Sequence, residues 1–352
     1  MRKLVYLALD AHISHCVLGG MDMRGKLLFC ERFRTSESAL IRHTVAVNAR
    51  RKLLVVEESS LASWIAGTLR TYVDELIVCD PCQNALISRS TQKDDTHDVY
   101  TLCKLLRMGE LKGVYHTEDN HRAVFKRSVQ HYLDLRDQQR SLKTKIKAKY
   151  HGAGILTVQG SRVYGKRHRA SYLALIKDRA VRMMVEGLYG VLDAMVEAQD
   201  AAQQQMVRLG KRYPEIQEFL KMPGVGPVGA HVFDAYIQTP HRFATKQKLW
   251  RYCKLGIVKR SSNGKPLAYH RLDHAGNGEL KAMSYRAWLS AFRTSKPNEV
   301  TRFYEQSLER TQNATHARLN TQRKMLAVLW SIWKRNKAYT SDLFLRPAQT
   351  AA

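Results

Sequence analysis

Short apolar segments alternate with polar, turn-forming stretches at the start of the chain. Apolar runs at residues 4–9, 15–20 and 26–33 are separated by such stretches, of which Asp22-Met23-Arg24-Gly25 is one. Runs of strand length that are bounded by turn residues are typical of β-hairpins. The pattern therefore predicts a meander of three strands.

The pattern then changes to alternating helices and strands. Residues 36–50 can form an amphipathic helix, and residues 53–56 form a continuous apolar run of the kind found in buried strands. A helical pattern at 61–73 and a strand at 76–78 follow. A group of strands followed by this alternation predicts an α/β domain with a mixed sheet.

Long helical patterns replace the short segments beyond about residue 118. One of them extends from about residue 170 to 212. A helix of that length usually packs along a partner, which predicts an antiparallel coiled-coil arm. We therefore expect three domains: an α/β domain at 1–118, a basic helical region at 119–212 and a mainly helical domain at 213–352.

The net charge narrows the class of partner. The 352 residues include 58 Lys and Arg but only 31 Asp and Glu, which gives a formal charge of +27. Such a charge suits a polyanion and argues against an enzyme of small neutral metabolites. Residues 121–180 alone contain 15 Lys and Arg and 3 Asp and Glu. The helical arm is therefore the expected site of nucleic-acid contact.

Basic side chains in the arm are interleaved with Tyr and His, which could stack on unpaired bases. The candidate phosphate contacts are Lys143, Lys145, Lys147, Lys149, Arg162, Lys166, Arg167 and Arg169. The alternative is a solvated helical face without a ligand. The density of positive charge favours contact with a phosphate backbone.

Neither secretion nor membrane insertion is indicated by the pattern. Asp10 ends the apolar run at residues 4–9 before it reaches the length of a secretory segment. We find no stretch near the roughly 18 apolar residues that cross a bilayer. The six cysteines are too few for a disulfide scaffold and suit a reducing compartment. We expect a cytoplasmic protein.

Four carboxylates occur where the predicted elements would bring them together. Asp10 lies at the end of the first strand, and Glu57 ends a second apolar run. Asp95 and Asp98 share the first turn of a helical pattern, and an i, i+3 pair projects to one side of a helix. If the two strands are adjacent, all four converge at one end of the sheet. The neighbouring alternatives are Glu58 and Asp94.

Such a cluster makes physical sense chiefly around a divalent cation, because close carboxylates repel one another and raise one another's pKa. Mg²⁺ prefers oxygen ligands and keeps waters for substrate phosphates. Two ions about 4 Å apart could activate a nucleophile and stabilise the oxygen that leaves phosphorus. Any one of the acids alone is more simply a helix cap or an ion-pair partner. The combination in a basic α/β protein favours metal.

A Pro-Gly-Val-Gly sequence lies between two helical patterns at residues 223–226. It is similar to a helix-hairpin-helix, in which Gly224 and Gly226 would let backbone N–H groups approach a phosphate. The alternative is an ordinary tight turn that needs glycine for a positive φ. The sequence modestly favours phosphate binding.

A polar turn, Ser261-Ser262-Asn263-Gly264, lies among basic residues that include Lys259 and Arg260. Taken alone, such a turn is an ordinary loop in most proteins. A serine hydroxyl needs a neighbouring base or metal to become a nucleophile, and no His or Asp occurs here at a telling spacing. Activation would have to come from elsewhere in the assembly.

The order of these motifs is more specific than any one of them. After the two acidic strand ends the chain contains Lys93-x-Asp95-x-x-Asp98, the basic arm, Pro-Gly-Val-Gly, and the serine turn before Ala275-Gly276-x-x-x-Leu280-Lys281. This order resembles the DEDD transposases of insertion-sequence family one-ten. They are relatives of the pilin-inversion recombinase Piv and are now known as bridge-RNA-guided serine recombinases. The resemblance extends from Asp10 to about Phe292.

The resemblance implies a fold of α/β plus α type: an N-terminal RuvC-like (RNase H-like) domain, a coiled coil and a mainly helical transposase domain with a helix-hairpin-helix. It implies that Asp10, Glu57, Asp95 and Asp98 form the metal-binding, catalytic DEDD set for Mg²⁺. Ser262 would attack DNA phosphate to give a 5′-phosphoserine intermediate. Counting back from Ala275-Gly276 places Ser262 at the family's serine.

The resemblance also implies the partners. These would be double-stranded target and donor DNA, a structured bridge RNA that pairs with both, and further copies of the chain in a tetramer of two dimers. The protein would act in the prokaryotic cytoplasm, at the nucleoid when active. No membrane partner is implied.

The chain departs from the family pattern at several positions. Asn263 replaces the usual Gly after the serine, Asp273-His274 replaces Ser-Lys, and Lys281 replaces the final Arg. Ser261 therefore remains an alternative nucleophile, and Asp273 or His274 could have a local role. Three alternative functions remain open: a metal-dependent RuvC-like nuclease or Holliday-junction resolvase, an RNA-independent Piv-like invertase, and an inert nucleic-acid scaffold.

Overall fold

The computed structural model forms two compact units, residues 1–118 and 119–352. The structure describes residues 2–80, 95–111, 113–117, 119–258, 261–262, 265–266, 271–294 and 296–345.

A five-stranded sheet forms the centre of the first unit. Its strands are β1 (Arg2–Ala11), β2 (His15–Met21), β3 (Leu27–Arg34), β4 (Ala49–Glu57) and β5 (Glu75–Cys79). They lie in the order β3-β2-β1-β4-β5. The first three form an antiparallel meander, whereas β4 is parallel to β1 and β5 is parallel to β4. This mixed sheet confirms the predicted RNase H-like fold class.

Helices cover both faces of this sheet. Helix α1 (Glu37–Ala46) joins β3 to β4, α2 (Ala62–Leu69) joins β4 to β5, and α3 (Asp95–Met108) follows later in the chain. Apolar side chains of α1 and α2 share one core with Val5, Leu7 and Leu9 of β1. Apolar side chains of α3 share the opposite core with Ala8 and Val55.

Glycine allows α3 to approach β2 closely. A Cβ at Gly19 would collide with the Val99 side chain of α3. Val99 is fully buried in the core that α3 forms with the sheet. The position of α3, and hence of its first turn, therefore depends on the absence of a side chain at Gly19.

Two long helices form an antiparallel arm in the second unit. These are α4 (Asn120–Gly152) and α6 (Arg179–Gly210), and the short helix α5 (Lys166–Leu173) lies between them in sequence. The Tyr150 and Tyr189 hydroxyls are 3.1 Å apart, and Gln139 Nε2 donates to Gln199 Oε1 at 3.0 Å. The residue number of the partner on α6 decreases as the residue number on α4 increases, so the two helices are antiparallel.

The predicted helix at 170–212 is wrong at its beginning. Helix α5 ends at Leu173, and α6 begins only after Asp178, whose carboxylate accepts hydrogen bonds from the N–H groups of Ala180 and Val181. Asp is a favoured N-cap because it satisfies these otherwise unpaired donors. The helical pattern is continuous in the sequence, but this cap starts a new helix.

The remainder of the second unit is mainly helical and shares one large core with the base of the arm. No helix in the part of the chain that the structure describes is long and apolar enough to cross a membrane. Its remaining elements are α7 (Glu215–Leu220), α8 (Pro227–Ile237), α9 (Lys246–Tyr252), β6 (Ile257–Val258), β7 (Ser261–Ser262), β8 (Lys265–Pro266), β9 (Arg271–Leu272), α10 (Gly278–Ala291), α11 (Glu299–Thr311), α12 (Ala314–Arg335) and α13 (Asp342–Leu345).

The turn between α7 and α8 contains two glycines in different surroundings. Gly224 has a φ of +83°, and a Cβ there would collide with Ala287 O and lie 2.8 Å from Ala291 N of α10. Gly226 has a φ of −84°, caps α8, and has open space where a Cβ would be. Gly224 therefore faces packed backbone, and Gly226 is the more accessible of the two.

We expect Gly224→Ala to destabilise the second unit strongly and Gly226→Ala to be tolerated. At Gly224 the new methyl group meets backbone that cannot move aside, and the positive φ adds strain, for a loss of about 2 kcal/mol or more. Urea unfolding of the two variants, followed by circular dichroism, measures the difference. Equal unfolding midpoints would contradict this description of the turn.

Candidate functional site

Strand pairing brings Asp10 and Glu57 side by side at one end of the sheet. Leu9 of β1 pairs with Val56 of the parallel strand β4, so the next residue of each strand carries one of these carboxylates. Side chains alternate between the two faces of a strand. Asp10 therefore shares a face with Ala8, and Glu57 shares a face with Val55. Ala8 and Val55 contact the core of α3, which places both acids on the side of α3.

Helix α3 supplies the other two carboxylates from its first turn, where Asp95 and Asp98 lie. Their negative charges act on the two acids of the sheet. Burial raises the pKa of Asp10 above its usual value; His12 opposes the shift, and the charges of Asp95 and Asp98 add to it. Burial also raises the pKa of Glu57, and the charges of Asp10 and Asp98 add to that shift. The structure thus brings all four predicted carboxylates together.

The donor set fits a hard divalent cation. Glu57 Oε1 is buried and has no hydrogen-bond partner among the residues that the structure describes. A buried acceptor without a partner is costly, and a cation would satisfy it. The four carboxylates offer only oxygen, which is the ligand that Mg²⁺ prefers. These residues could therefore hold Mg²⁺ and reduce their own mutual repulsion.

Two histidines at the site were missed by the sequence analysis. His12 Nε2 lies 3.1 Å from Asp10 Oδ2, and His15 Nε2 lies 3.2 Å from Asp95 Oδ2. Arg32 Nη1 also lies 3.8 Å from Asp95 Oδ2. The signal available in the sequence was Asp10-Ala11-His12-x-x-His15, directly after the first strand.

The alternatives to the four acids differ in their surroundings. Glu58 Oε2 forms a short hydrogen bond with His116 Nε2, so this carboxylate already has a different partner. Asp94 lies outside the described residues. Asp273 is engaged within the second unit: it accepts from Ala275 N at 2.9 Å and from Arg251 Nε at 2.7 Å, and these contacts hold its pKa below the usual range. These contacts fix the position of Asp273 within the second unit.

The serine turn belongs to the second unit. Strand β7 pairs antiparallel with β8, with Ser261 opposite Pro266 and Ser262 opposite Lys265. Strand β6, which precedes this pair in the chain, pairs with β9, which follows it, and Ile257 lies opposite Leu272. The two serines therefore lie on a short hairpin within a longer one. The predicted contacts Lys259 and Arg260 lie outside the described residues.

Most of the predicted basic contacts lie near the tip of the arm. Lys143 and Lys147 are partly buried, and each ammonium lies within 6 Å of the Tyr164 ring, at 5.7 and 5.6 Å. Phosphate could reach the exposed members of the set most directly. The exposed members are Lys145, Lys149, Arg162, Lys166 and Arg167.

Arg169 differs from its predicted role, because its donors are used inside the protein. Its two terminal nitrogens donate to both carboxylate oxygens of Asp193, at 2.8 and 2.7 Å. It also donates to Tyr164 O and lies 4.4 Å from the centre of the Tyr189 ring. Only 13% of the side chain is exposed. Arg169 therefore fastens α5 to α6 and is not free to contact phosphate.

Comparison with known proteins finds one family model that matches part of the second unit. Residues 216–305, about a quarter of the chain, match the family model described as "Transposase IS116/IS110/IS902 family". The matched segment contains the serine hairpin and the turn with Gly224 and Gly226. No curated protein matches the chain. The match supports an insertion-sequence transposase, a kind of enzyme that binds DNA and cleaves and transfers its strands.

We expect Glu57→Gln to raise the thermal midpoint of metal-free protein at neutral pH by a few degrees. Burial and the charges of Asp10 and Asp98 raise the pKa of Glu57, so its ionised form is less favourable in the folded state than in the unfolded chain. As pH falls through that raised pKa, the wild-type protein regains this stability. Below the ordinary pKa of Glu the two proteins become equal in this respect.

The measurement is thermal unfolding over a pH series with a metal chelator present. Glu75→Gln, an exposed carboxylate on β5, is the control and is expected to change the midpoint little. A gain at Glu57 that stayed constant down to acidic pH would exclude the electrostatic explanation.

Proposed function

We propose that the protein is a DEDD insertion-sequence transposase, a site-specific recombinase that cleaves and rejoins DNA strands through a serine adduct. The observation that carries this proposal is the convergence of Asp10, Glu57, Asp95 and Asp98 in a protein whose second unit matches a transposase family. The charge of +27 supports a polyanionic substrate.

The four carboxylates would hold Mg²⁺, which when bound neutralises charge on a DNA phosphate and on the oxygens around phosphorus. Asp10 and Glu57 come from rigid strands, and Asp95 and Asp98 come from the first turn of a packed helix. Rigid elements hold ligands in position more accurately than loops do. The unpartnered oxygen of Glu57 supports a cation at this point.

Ser262 would act as the nucleophile. Its Oγ would form a bond to phosphorus as the bond between phosphorus and the 3′ oxygen of the neighbouring nucleotide breaks. The serine would lose its proton to a base, and the departing 3′ oxygen would gain one. The product is a 5′-phosphoserine and a free 3′ hydroxyl, which can later reverse the step on another strand. The residues that activate Ser262 would come from the carboxylate site of the same or another subunit.

The tip of the arm and the matched segment would bind nucleic acid. Candidate contacts are Lys143, Lys145, Lys147, Lys149, Arg162, Lys166, Arg167, Gly224, Gly226, Lys259 and Arg260. The exposure of the tip supports contact with phosphates, which is not specific for sequence. A bridge RNA would then supply the choice of target and donor DNA. The protein would act in the cytoplasm, at the nucleoid.

A homo-oligomer, a tetramer of two dimers, is also part of the proposal. Helix α6 carries small and apolar residues at alternating spacings of four and three along its exposed side. Their spacing is that of a coiled-coil seam, and small side chains allow close helix packing. The residues of this stripe are Ala180, Met184, Gly187, Val191, Ala194, Ala198 and Ala201. A second copy of the chain is the partner that the proposal requires.

A metal-dependent nuclease or resolvase is the second candidate. It is favoured by one observation: the whole carboxylate cluster lies in the first unit and does not require the serine hairpin. Metal-activated water would replace Ser262 as the nucleophile. An RNA-independent invertase would keep the serine but not the bridge RNA.

We expect Ser262→Ala to abolish a covalent protein–DNA adduct. A labelled DNA that carries the joined ends of the element, nicked so that one product diffuses away, is incubated with protein, copurified RNA and Mg²⁺. The adduct survives denaturing electrophoresis, and mass spectrometry locates the modified peptide. Ser261→Ala is the matched control and should retain the adduct, whereas Glu57→Gln should lose it. Hydrolytic cleavage that continues in Ser262→Ala would support the nuclease instead.

We expect Lys145→Ala, Lys149→Ala, Arg162→Ala and Arg167→Ala to weaken binding to DNA of any sequence. Each lost phosphate contact lowers the slope of log affinity against log salt by about 0.9. Fluorescence anisotropy at several salt concentrations gives the slope. Arg169→Ala should instead lower thermal stability and leave the slope unchanged in folded protein. A reduced slope for Arg169→Ala with unchanged stability would contradict its assignment as a structural residue.

A further inference from the structure

Two imidazoles converge on Asp95, which is one of the four acids, and the proposed strand cleavage does not use these imidazoles. His12, His15 and Asp95 each offer one donor atom, and these atoms lie within 4.8 Å of one another. The His12 and His15 rings are stacked with centroids 5.1 Å apart and planes inclined by 27°. Nitrogen donors therefore meet one of the oxygen donors at the mouth of the site.

The backbone of the first hairpin holds both rings on the same side. His12 N donates to His15 O at 2.9 Å across the turn between β1 and β2. Thr35, just beyond β3, fastens this turn: its hydroxyl donates to His12 O at 2.6 Å and its N–H donates to Ser14 O at 3.3 Å. These contacts hold the backbone of the turn in one conformation, from which both histidine side chains project.

The orientation of His15 is compatible with metal ligation. Its Nδ1 lies 2.9 Å from Ser14 Oγ, and its Nε2 lies 3.2 Å from Asp95 Oδ2. Ligating histidines in proteins typically bond through their second nitrogen to a neighbouring group, which fixes the ring. Half of the His12 side chain and about a third of the Asp95 side chain are exposed, at 53% and 37%. An ion can therefore enter from solvent.

These three donors favour a different ion from the one that the four carboxylates favour. Two imidazoles and one carboxylate suit first-row transition ions such as Zn²⁺ and leave a position open for water. Mg²⁺ prefers oxygen ligands alone. We propose that His12, His15 and Asp95 form a transition-metal site of the zinc type at the mouth of the carboxylate centre, with Asp95 shared between the two.

Ion pairing alone accounts for less of the geometry. A contact between His12 and Asp10 and another between His15 and Asp95 would each neutralise one carboxylate. Neither contact requires the two rings to converge on one point or Ser14 to orient His15. Arg32 also faces Asp95 at 3.8 Å, but 64% of its side chain is exposed, so it can turn away from an arriving cation.

The test is Co²⁺ binding to the full chain without a polyhistidine tag, followed by visible absorption. Nitrogen ligation in a four- or five-coordinate site gives much stronger absorption than oxygen ligation in a six-coordinate one. We expect His12→Ala and His15→Ala each to weaken Co²⁺ binding by roughly 10- to 100-fold, as even outer partners of ligands do. Zn²⁺ should displace Co²⁺, and an excess of Mg²⁺ should not.

His43→Ala is the matched control, because His43 also pairs with a carboxylate, Glu31, at 2.9 Å in the same unit. Its Co²⁺ affinity should equal that of the wild-type protein. Unchanged affinity in the double variant of His12 and His15, or equal displacement by Mg²⁺, would overturn the proposal. Should the double variant not fold, the single variants His12→Ala and His15→Ala decide in the same Co²⁺ titration: unchanged affinity in both excludes the site.

This inference uses the position of Asp95 but does not rest on strand exchange. If the proposed function fails, the Ser262 adduct is absent while the Co²⁺ spectrum keeps its histidine dependence. If the histidine site fails, the adduct forms normally and the Co²⁺ affinity is the same in the histidine variants as in the wild-type protein.

Discussion

The parallel pairing of β1 with β4 is the constraint on which the candidate site depends. It places Asp10 next to Glu57, and side-chain alternation turns both towards α3. A shift of this pairing by one residue would move a carboxylate to the opposite core, where the apolar residues of α1 and α2 lie. The apolar residues on both faces therefore fix the register of the acids, although they are not part of the site.

The same packing opposes the charges that it brings together. Burial raises the pKa of both Asp10 and Glu57, and the neighbouring acids add to this effect. Such an arrangement weakens the fold unless a cation compensates. Perturbed carboxylates in one place are typical of functional sites, because selection for stability alone would remove them. The electrostatic repulsion lies among the same residues that the proposed chemistry uses.

Much of the fold could be predicted from the chain because its signals are local. The apolar runs of the strands and the acids at their ends lie within a few residues of one another, and the change from a meander to alternating helices and strands indicated a mixed sheet. Partners distant in sequence could not be predicted. Arg169 has the composition of a phosphate contact, but Asp193, 24 residues away, occupies its donors. His12 and His15 gain their relation to Asp95 only when α3 packs on the sheet across 80 residues.

The helix break at Asp178 has a different, local origin, because its partners Ala180 and Val181 lie only two and three residues away. Periodicity continues through residues 174–178, so hydrophobic pattern alone gives one helix, whereas a side-chain cap separates two. The roles of Ser262, Gly224 and Gly226 stay predictions, since they concern contacts with molecules outside a single chain. The division into three domains at 118 and 212 also stays a prediction.

The two long helices of the arm are held by separate cores. Phe125, Leu133 and Met206 belong to the core at the base, while Leu142, Tyr150 and Tyr189 belong to another core towards the tip. Between these cores the helices meet through the amides of Gln139 and Gln199. Because neither apolar core includes residues of the other, a substitution within the core near the tip would be felt there first, and the packing that anchors the arm at its base would keep its own contacts.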